Sequence, residues 1–471
     1  MAQKVVVLGG GVAGLSAAHE LVERGFDVEV YEALPSPGGK ARSISVPGSG
    51  MLGPSGMRKD LPGEHGFRFF PRFYSHVTDT MKRIPFGADR TVFDNLVDTT
   101  RVQLARFDRP PIDLICRSPR GLDDLRVLLG DLDLIYQGEL DVSHDEIAFF
   151  ASRIWQILTS CRERRMDEYE KLGWWEFIGA AERSPGYQAL LGHGITRSLV
   201  AAKADLASTK TIGDILVQLL FDIAEPGPSS DRVLNGPTND VWISPWLEYL
   251  LARGVRYHLD ARVTAITCAQ GRIQDVTVCS GGASRKVASD YYVCALPVED
   301  LVPLLTPSLI AADPSLANLR QLEQATAWMV GIQIFLTEDV DLAHGHTIYV
   351  DSPWALTSIS QAQFWSGFDL SQYGNGSVKG IISVDISEWE QKGLNGKTAK
   401  ECNLEELIRE VWEQLKRSLN RGGVEVLKDE YFYHWFLDSD VQLREGAADT
   451  NEEPLLVNLV NTWALRPEAV T

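Results

Sequence analysis

The feature that most constrains this chain is a glycine cluster close to its start. Gly9-x-Gly11-x-x-Gly14 directly follows the apolar run Val5-Val6-Val7-Leu8 and opens a helical stretch from Val12 to Glu23. A second run, Asp27-Val28-Glu29-Val30-Tyr31, completes a βαβ opening. In that context Gly9 permits a tight turn, Gly11 lets the backbone approach a pyrophosphate, and Gly14 lets helix and strand pack closely. Together with Ala13 on the same turn they present the free N–H groups and positive dipole end of a helix to phosphate. Glu32 stands at the end of the second strand, where a carboxylate accepts hydrogen bonds from a ribose. The expected fold class is α/β, with a Rossmann-type dinucleotide domain interleaved with an α+β substrate domain. The fingerprint alone leaves NAD and FAD open.

The residues that follow narrow the choice. Gly38-Gly39-Lys40-Ala41-Arg42-Ser43 places a second glycine pair and two cations just after Glu32. Here the chain resembles the flavin amine oxidase and phytoene desaturase superfamily, whose members carry a GGR-x-R-S/T element at this point. The resemblance implies FAD, with Gly38 and Gly39 giving the backbone close passage and Arg42 contacting the pyrophosphate. Lys40 replaces the usual Arg and keeps the charge without the planar bidentate fork. Two further stretches resemble the same family. Gly254 to Val263 is similar to the strand whose valine, Val263, packs by the adenine. Asp290 to Pro297 is similar to the strand that runs back under the cofactor through Ala295. The loop Leu61-Pro62-Gly63-Glu64-His65-Gly66 resembles the family's D-x-G-Q-H loop near the flavin ring, with Leu61 in place of its acid and Glu64 in place of its amide. Gly63 belongs to the cofactor set, and Glu64 and His65 are the candidate acid–base residues.

Composition limits the partners. Across 471 residues, 45 Lys plus Arg face 64 Asp plus Glu, a formal net charge of −19, which excludes a nucleic-acid binder driven by phosphate neutralisation. No apolar run is long enough to span a bilayer, and the start enters a strand without a basic leader, so a cytoplasmic location is expected. The six cysteines lack ligand spacing, and no metal site is expected. His344-Gly345-His346 reads as a solvated turn. The Pro/Gly/Ser-rich segment at 225–230 marks a boundary. The expected division is 1–77, 232–300 and 440–471 for FAD, and 78–231 and 301–439 for substrate.

The substrate side resembles the desaturase branch, which handles apolar isoprenoids. Amine oxidases of the superfamily place a lysine in a substrate-domain strand, and the corresponding stretch, Ala327 to Leu336, has none. Phe67, Phe69, Phe70, Phe73 and Tyr74, with Trp354, Phe364 and Trp365, supply apolar walls. The expected function is removal of hydride from a hydrophobic small molecule by FAD. A flavin amine or amino-acid oxidase is one alternative. A non-catalytic binding subunit, of the kind found among Rab GDP-dissociation inhibitors, is another. The family's final glycine-acid motif and helix are expected beyond a strand at Leu455 to Trp463. The chain halts there, so the expectation is either that it is truncated or that a partner chain or self-association completes the flavin site.

Overall fold

A computed structural model of the chain describes residues 2–116, 141–194, 196, 204–225, 227, 229–443 and 450–467. Lys4–Leu8 and Asp27–Tyr31 lie parallel, joined by the Val12–Glu23 helix. Val5 to Leu8, Val28 and Val30 are all buried, which is why these strands read as continuous apolar runs and not as alternation. Tyr291–Cys294 and Arg256–His258 flank them to complete a four-stranded parallel sheet. An antiparallel sheet of Arg262–Ala269, Arg272–Ser280 and Ala283–Val287 packs alongside, with Val263, Ile266 and Val276 against Val6, Leu8 and Tyr31.

Two glycines make this packing possible. Gly9 has φ +96°, and a Cβ on it would meet the Ala295 carbonyl oxygen at 2.8 Å. A Cβ on Gly14 would lie 1.9 Å from the Gly9 carbonyl oxygen, so strand and helix close only with glycine there.

A seven-stranded sheet forms the second layer system, in the order Arg109–Ile115, Arg101–Arg106, Gly345–Tyr349, Thr357–Ser360, Gly380–Ile386, Val330–Leu336 and Phe432–Leu437. One face is largely apolar. Ile332, Ile334, Ile382, Val384 and Ile386 pack there against Leu407, Val411 and Leu415 of the Leu404–Leu419 helix. That helix starts at Asn403, whose side chain accepts from the Glu406 N–H while Glu406 reaches back, a capping box. The other face carries, in register across the strands, His346, Ile359, Ser383, Gln333 and Phe436. The helices His144–Leu158 and Thr209–Ala224 share a separate core with Tyr169, Trp174 and Phe177. No helix among the described residues is long and apolar enough to cross a membrane.

Two sequence expectations are corrected here. The strand expected from Leu455 to Trp463 is only Leu455–Leu456, paired with Thr326–Ala327. Turns follow it, and Asn461 adopts a left-handed φ of +68° that a strand cannot hold. Trp354 is no cavity wall. It is fully buried in the core under the Leu404–Leu419 helix, and its indole N–H donates to the Gln391 carbonyl oxygen at 3.1 Å.

Candidate cofactor and active site

A cavity of about 480 Å³ opens on the glycine turn. Gly9, Gly11 and Ala13 line it together with Glu32, Gly39, Lys40 and Ala295, so the fold gathers most of the cofactor residues expected from sequence. Gly14 lies beneath, closing helix onto strand. Val263 sits in the core, and its neighbour Arg262 lines the cavity. Gly63 is required by packing, since a Cβ there would stand 2.3 Å from the Ile44 carbonyl oxygen and 2.8 Å from the Phe436 ring.

Glu32 is held in place by the backbone. Its Oε2 accepts from the Gly10 N–H and its Oε1 from the Leu34 N–H, each at 2.8 Å. The remaining lone pairs are available to a ligand's hydroxyls. Gly10 is a third obligatory glycine that the motif does not mark. A Cβ on it would overlap the Tyr257 hydroxyl at 1.9 Å, and that hydroxyl donates to the Gly10 carbonyl oxygen at 2.7 Å.

The wall facing the glycines is acidic, with Glu299, Asp300, Asp440, Glu452 and Glu453. Both expected phosphate cations already have partners. Lys40 pairs with Glu299 and with the Pro454 carbonyl oxygen. Arg42 donates to Glu453 at 2.6 Å and to Asp440 at 2.5 Å. The donors left around the cavity include Arg262, 3.7 Å from Asp300, and the backbone N–H groups of the first helical turn, which have no acceptor within the helix. These fit a diphosphate, as Glu32 fits a ribose diol.

The loop carrying Glu64 and His65 crosses the polar face of the seven-stranded sheet at a glycine pair. Gly331 N–H donates to the His65 carbonyl oxygen at 2.6 Å, and a Cβ on Gly331 would stand 2.5 Å from both that oxygen and the Gly66 Cα. Gly331→Ala is expected to lift the loop off the sheet and destabilise the fold by about 1–3 kcal/mol, the usual cost of overpacking. Chemical denaturation of the two proteins measures it.

His65 Nδ1 bonds the buried Asp438, while its Nε2 has no partner. Burial pushes the Asp438 carboxyl up, but the His65 bond, the Asp440 N–H and the nearby His65 and Arg42 charges together outweigh it and the net shift is downward. Burial raises the Glu453 carboxyl against the pull of Arg42. The ligand atoms of His65, Asp438 and Glu453 lie within 4.8 Å of one another, a spacing that could hold a metal ion. Here the carboxylates are already engaged by the imidazole and by Arg42, as in an ion-pair network. Glu64, expected from sequence on a loop, lies in a strand opposite Ser43. It is buried at the end of a short strand, Pro62–Glu64, and its Oε1 accepts from Ser43 Oγ at 2.9 Å and Thr238 N–H at 2.8 Å. Burial raises its pKa.

His346 overturns the reading of residues 344–346 as a solvated turn. Gly345–Tyr349 is a buried strand, and His346 Nδ1 pairs with Asp231 at 2.9 Å, between the rings of Phe67 and Phe69. On the same face Gln333 donates to Ser383 Oγ at 2.6 Å, and Asp385 lies against Gly66. The available signal was polar residues inside otherwise apolar strands: Gln333 alone in Val330–Leu336, and Ser383 and Asp385 two places apart in Gly380–Ile386.

With this geometry, the pattern of a known family can be matched. The model of the flavin-containing amine oxidoreductases aligns with residues 12–434. The chain belongs to that family. The family model describes flavin-containing oxidoreductases. Among curated proteins it is 25% identical over 319 residues to a protein of Synechococcus elongatus described as a probable zeta-carotene desaturase, covering 64% of this chain and 60% of that one. It is 31% identical over 169 residues to the all-trans-zeta-carotene desaturase of Myxococcus xanthus, covering 34% and 30%. The chain thus spans 60% or less of these relatives' lengths. Among solved structures, an oxidoreductase from Methanosarcina mazei superposes with TM-score 0.59 at 15% identity over 92% of this chain and 87% of that one. Putrescine oxidase superposes with TM-score 0.57 at 13% identity over 96% and 89%. These likenesses establish the α/β fold.

Proposed function

We propose that this family member holds FAD along the Gly9–Gly14 turn and uses it to take hydride from a carbon of a largely hydrophobic small molecule, as a desaturase does. In this reading Gly9, Gly11, Ala13, Gly14 and Gly39 carry the diphosphate, Glu32 the ribose, and Ala295 the strand beneath the cofactor. Arg42 and Lys40 border the site, and Gly63 and Val263 support it from the core. Segments 1–77, 232–300 and 440–471 serve the cofactor, and 78–231 and 301–439 the substrate. When bound, FAD supplies the two-electron chemistry, and the chain supplies orientation, exclusion of water and proton handling.

The observation that carries the substrate reading is the lining of the sheet face. Phe67, Phe69, Phe364 and Trp365 cluster there with Ile359 and Phe335, and the Val330–Leu336 strand, in which an amine oxidase would offer a lysine, has none. The names of the carotene desaturases among the relatives support the same class. Under anaerobic conditions zeta-carotene in detergent micelles is expected to bleach the bound flavin faster than simple primary amines do. Rapid bleaching by amines with none by the polyene would favour an amine oxidase.

The cofactor assignment is tested separately. Glu32→Ala removes a charged acceptor and is expected to weaken FAD binding by roughly 1.5–3 kcal/mol. Equal affinity of the two proteins in a fluorescence titration would count against the assignment of Glu32.

A further inference from the structure

The polar face of the seven-stranded sheet holds a carboxyl group that its surroundings satisfy only in part: Asp385 accepts from the Phe67 N–H of the crossing loop, and its second oxygen is left over. Asp385 stands in register between Thr357 and Gly331 on neighbouring strands, two residues along from Ser383. Its Oδ1 is sealed from solvent without a hydrogen-bond partner, while the residue as a whole keeps part of its surface open. A Cβ on Gly66, in the loop that carries His65, would come within 2.7 Å of that oxygen. The charged and titratable groups facing it are Arg68 and His65 from the loop and His346 from the adjoining sheet strand. Burial against this partial compensation raises the carboxyl to about 6. A buried, half-satisfied carboxyl tuned towards neutrality is a recurring property of reacting sites.

The other ionisable groups of this face are committed elsewhere. Glu64 accepts from Ser43 and Thr238, His65 is tied to Asp438, and His346 is held by Asp231. In the Asp231–His346 pair the carboxylate fixes the Nδ1–H tautomer and leaves Nε2, which has no partner, as an acceptor on the same face. Gln361 Oε1 is likewise without a partner.

We propose that Asp385 is the proton acceptor of the flavin reaction and that His346, oriented by Asp231, is a positioning residue beside it. One C–H bond of the substrate breaks with both electrons leaving as hydride to the FAD. The bond to hydrogen on the neighbouring atom breaks with its proton passing to the Asp385 carboxylate, and its electron pair forms the new double bond. Two electrons reduce the flavin, and Asp385 holds the proton. This role rests on the FAD assignment above and adds the group that completes it.

The test compares FAD-loaded wild type, Asp385→Asn, Asp385→Glu and His346→Gln. The first readout needs no substrate: the midpoint potential of the flavin is plotted against pH. Wild type is expected to show a change of slope near pH 6, absent in Asp385→Asn and present but shifted in Asp385→Glu. The second is the anaerobic bleaching rate with zeta-carotene micelles and with a long-chain primary amine. For whichever compound reduces the wild type, the rate is expected to fall roughly 100-fold or more in Asp385→Asn, the usual scale of acid–base assistance, and to recover in part in Asp385→Glu. His346→Gln is expected to shift the pH profile and lower the rate less. No change of slope in wild type, or the same slope change and rate in Asp385→Asn, overturns the proposal. A wild type that shows no flavin spectrum overturns the cofactor assignment instead, so the two failures are told apart.

Discussion

Arg42→Ala is expected to destabilise the protein by about 3–5 kcal/mol, the scale for removing one partner of a buried ion pair. The guanidinium is 8% exposed and donates to Glu453, itself 11% exposed, and to Asp440, which is 28% exposed. Removing it leaves the buried Glu453 carboxylate without a guanidinium, next to Asp438 and beside the Asp440 charge, with only the His65 imidazole 3.8 Å away. Asp440 reaches solvent and recovers part of its hydration, so the loss comes mainly from Glu453. Arg42→Lys restores the charge without the fork that reaches both acids and is expected to recover only part of the loss. Urea unfolding of the three proteins at one pH measures the series, and an Arg42→Ala protein as stable as wild type would show the network to be dispensable.

Asp385→Asn is expected to act in the opposite direction. The carboxyl has a usual value of 3.8 and is raised to about 6 in the folded chain, so the folded state holds its proton more tightly than the unfolded one. The associated stability is fully present below pH 3.8 and is lost as pH rises through about 6. At about 1.4 kcal/mol per pH unit the loss reaches about 3 kcal/mol at most. Asparagine does not ionise and escapes it, although Arg68 loses a facing charge, which trims the gain. The stability difference between variant and wild type is therefore expected to be small at pH 4, to grow through pH 6 and to level off above it. Thermal melts across that range give the curve. A difference independent of pH would mean that Asp385 does not titrate as described.

These effects show where the sequence was legible and where it was not. The Val12–Glu23 helix follows from the glycine turn before it and its local pattern, and the structure has it in the same place. The glycine turn and Glu32 were legible because the motif, the strand and the helix are contiguous. The polar face of the second sheet was not. His346, Asp385 and Gln333 meet only after strands far apart in sequence pair in one register, and Asp231 reaches His346 from a segment outside that sheet. The pairing of Arg42 with Asp440 and Glu453 spans some four hundred residues and is equally invisible to local pattern. Trp354 was misread because an aromatic residue in a strand connection gives no sign of which face of the sheet it will join.

An equilibrium titration of the purified chain with FAD, followed by the shift of the flavin absorption bands and quenching of its fluorescence, tests the central claim most directly. A saturable change is expected, one that ADP competes away and that Glu32→Ala weakens. No spectral change at any FAD concentration, or saturable binding of NAD in its place, would contradict it.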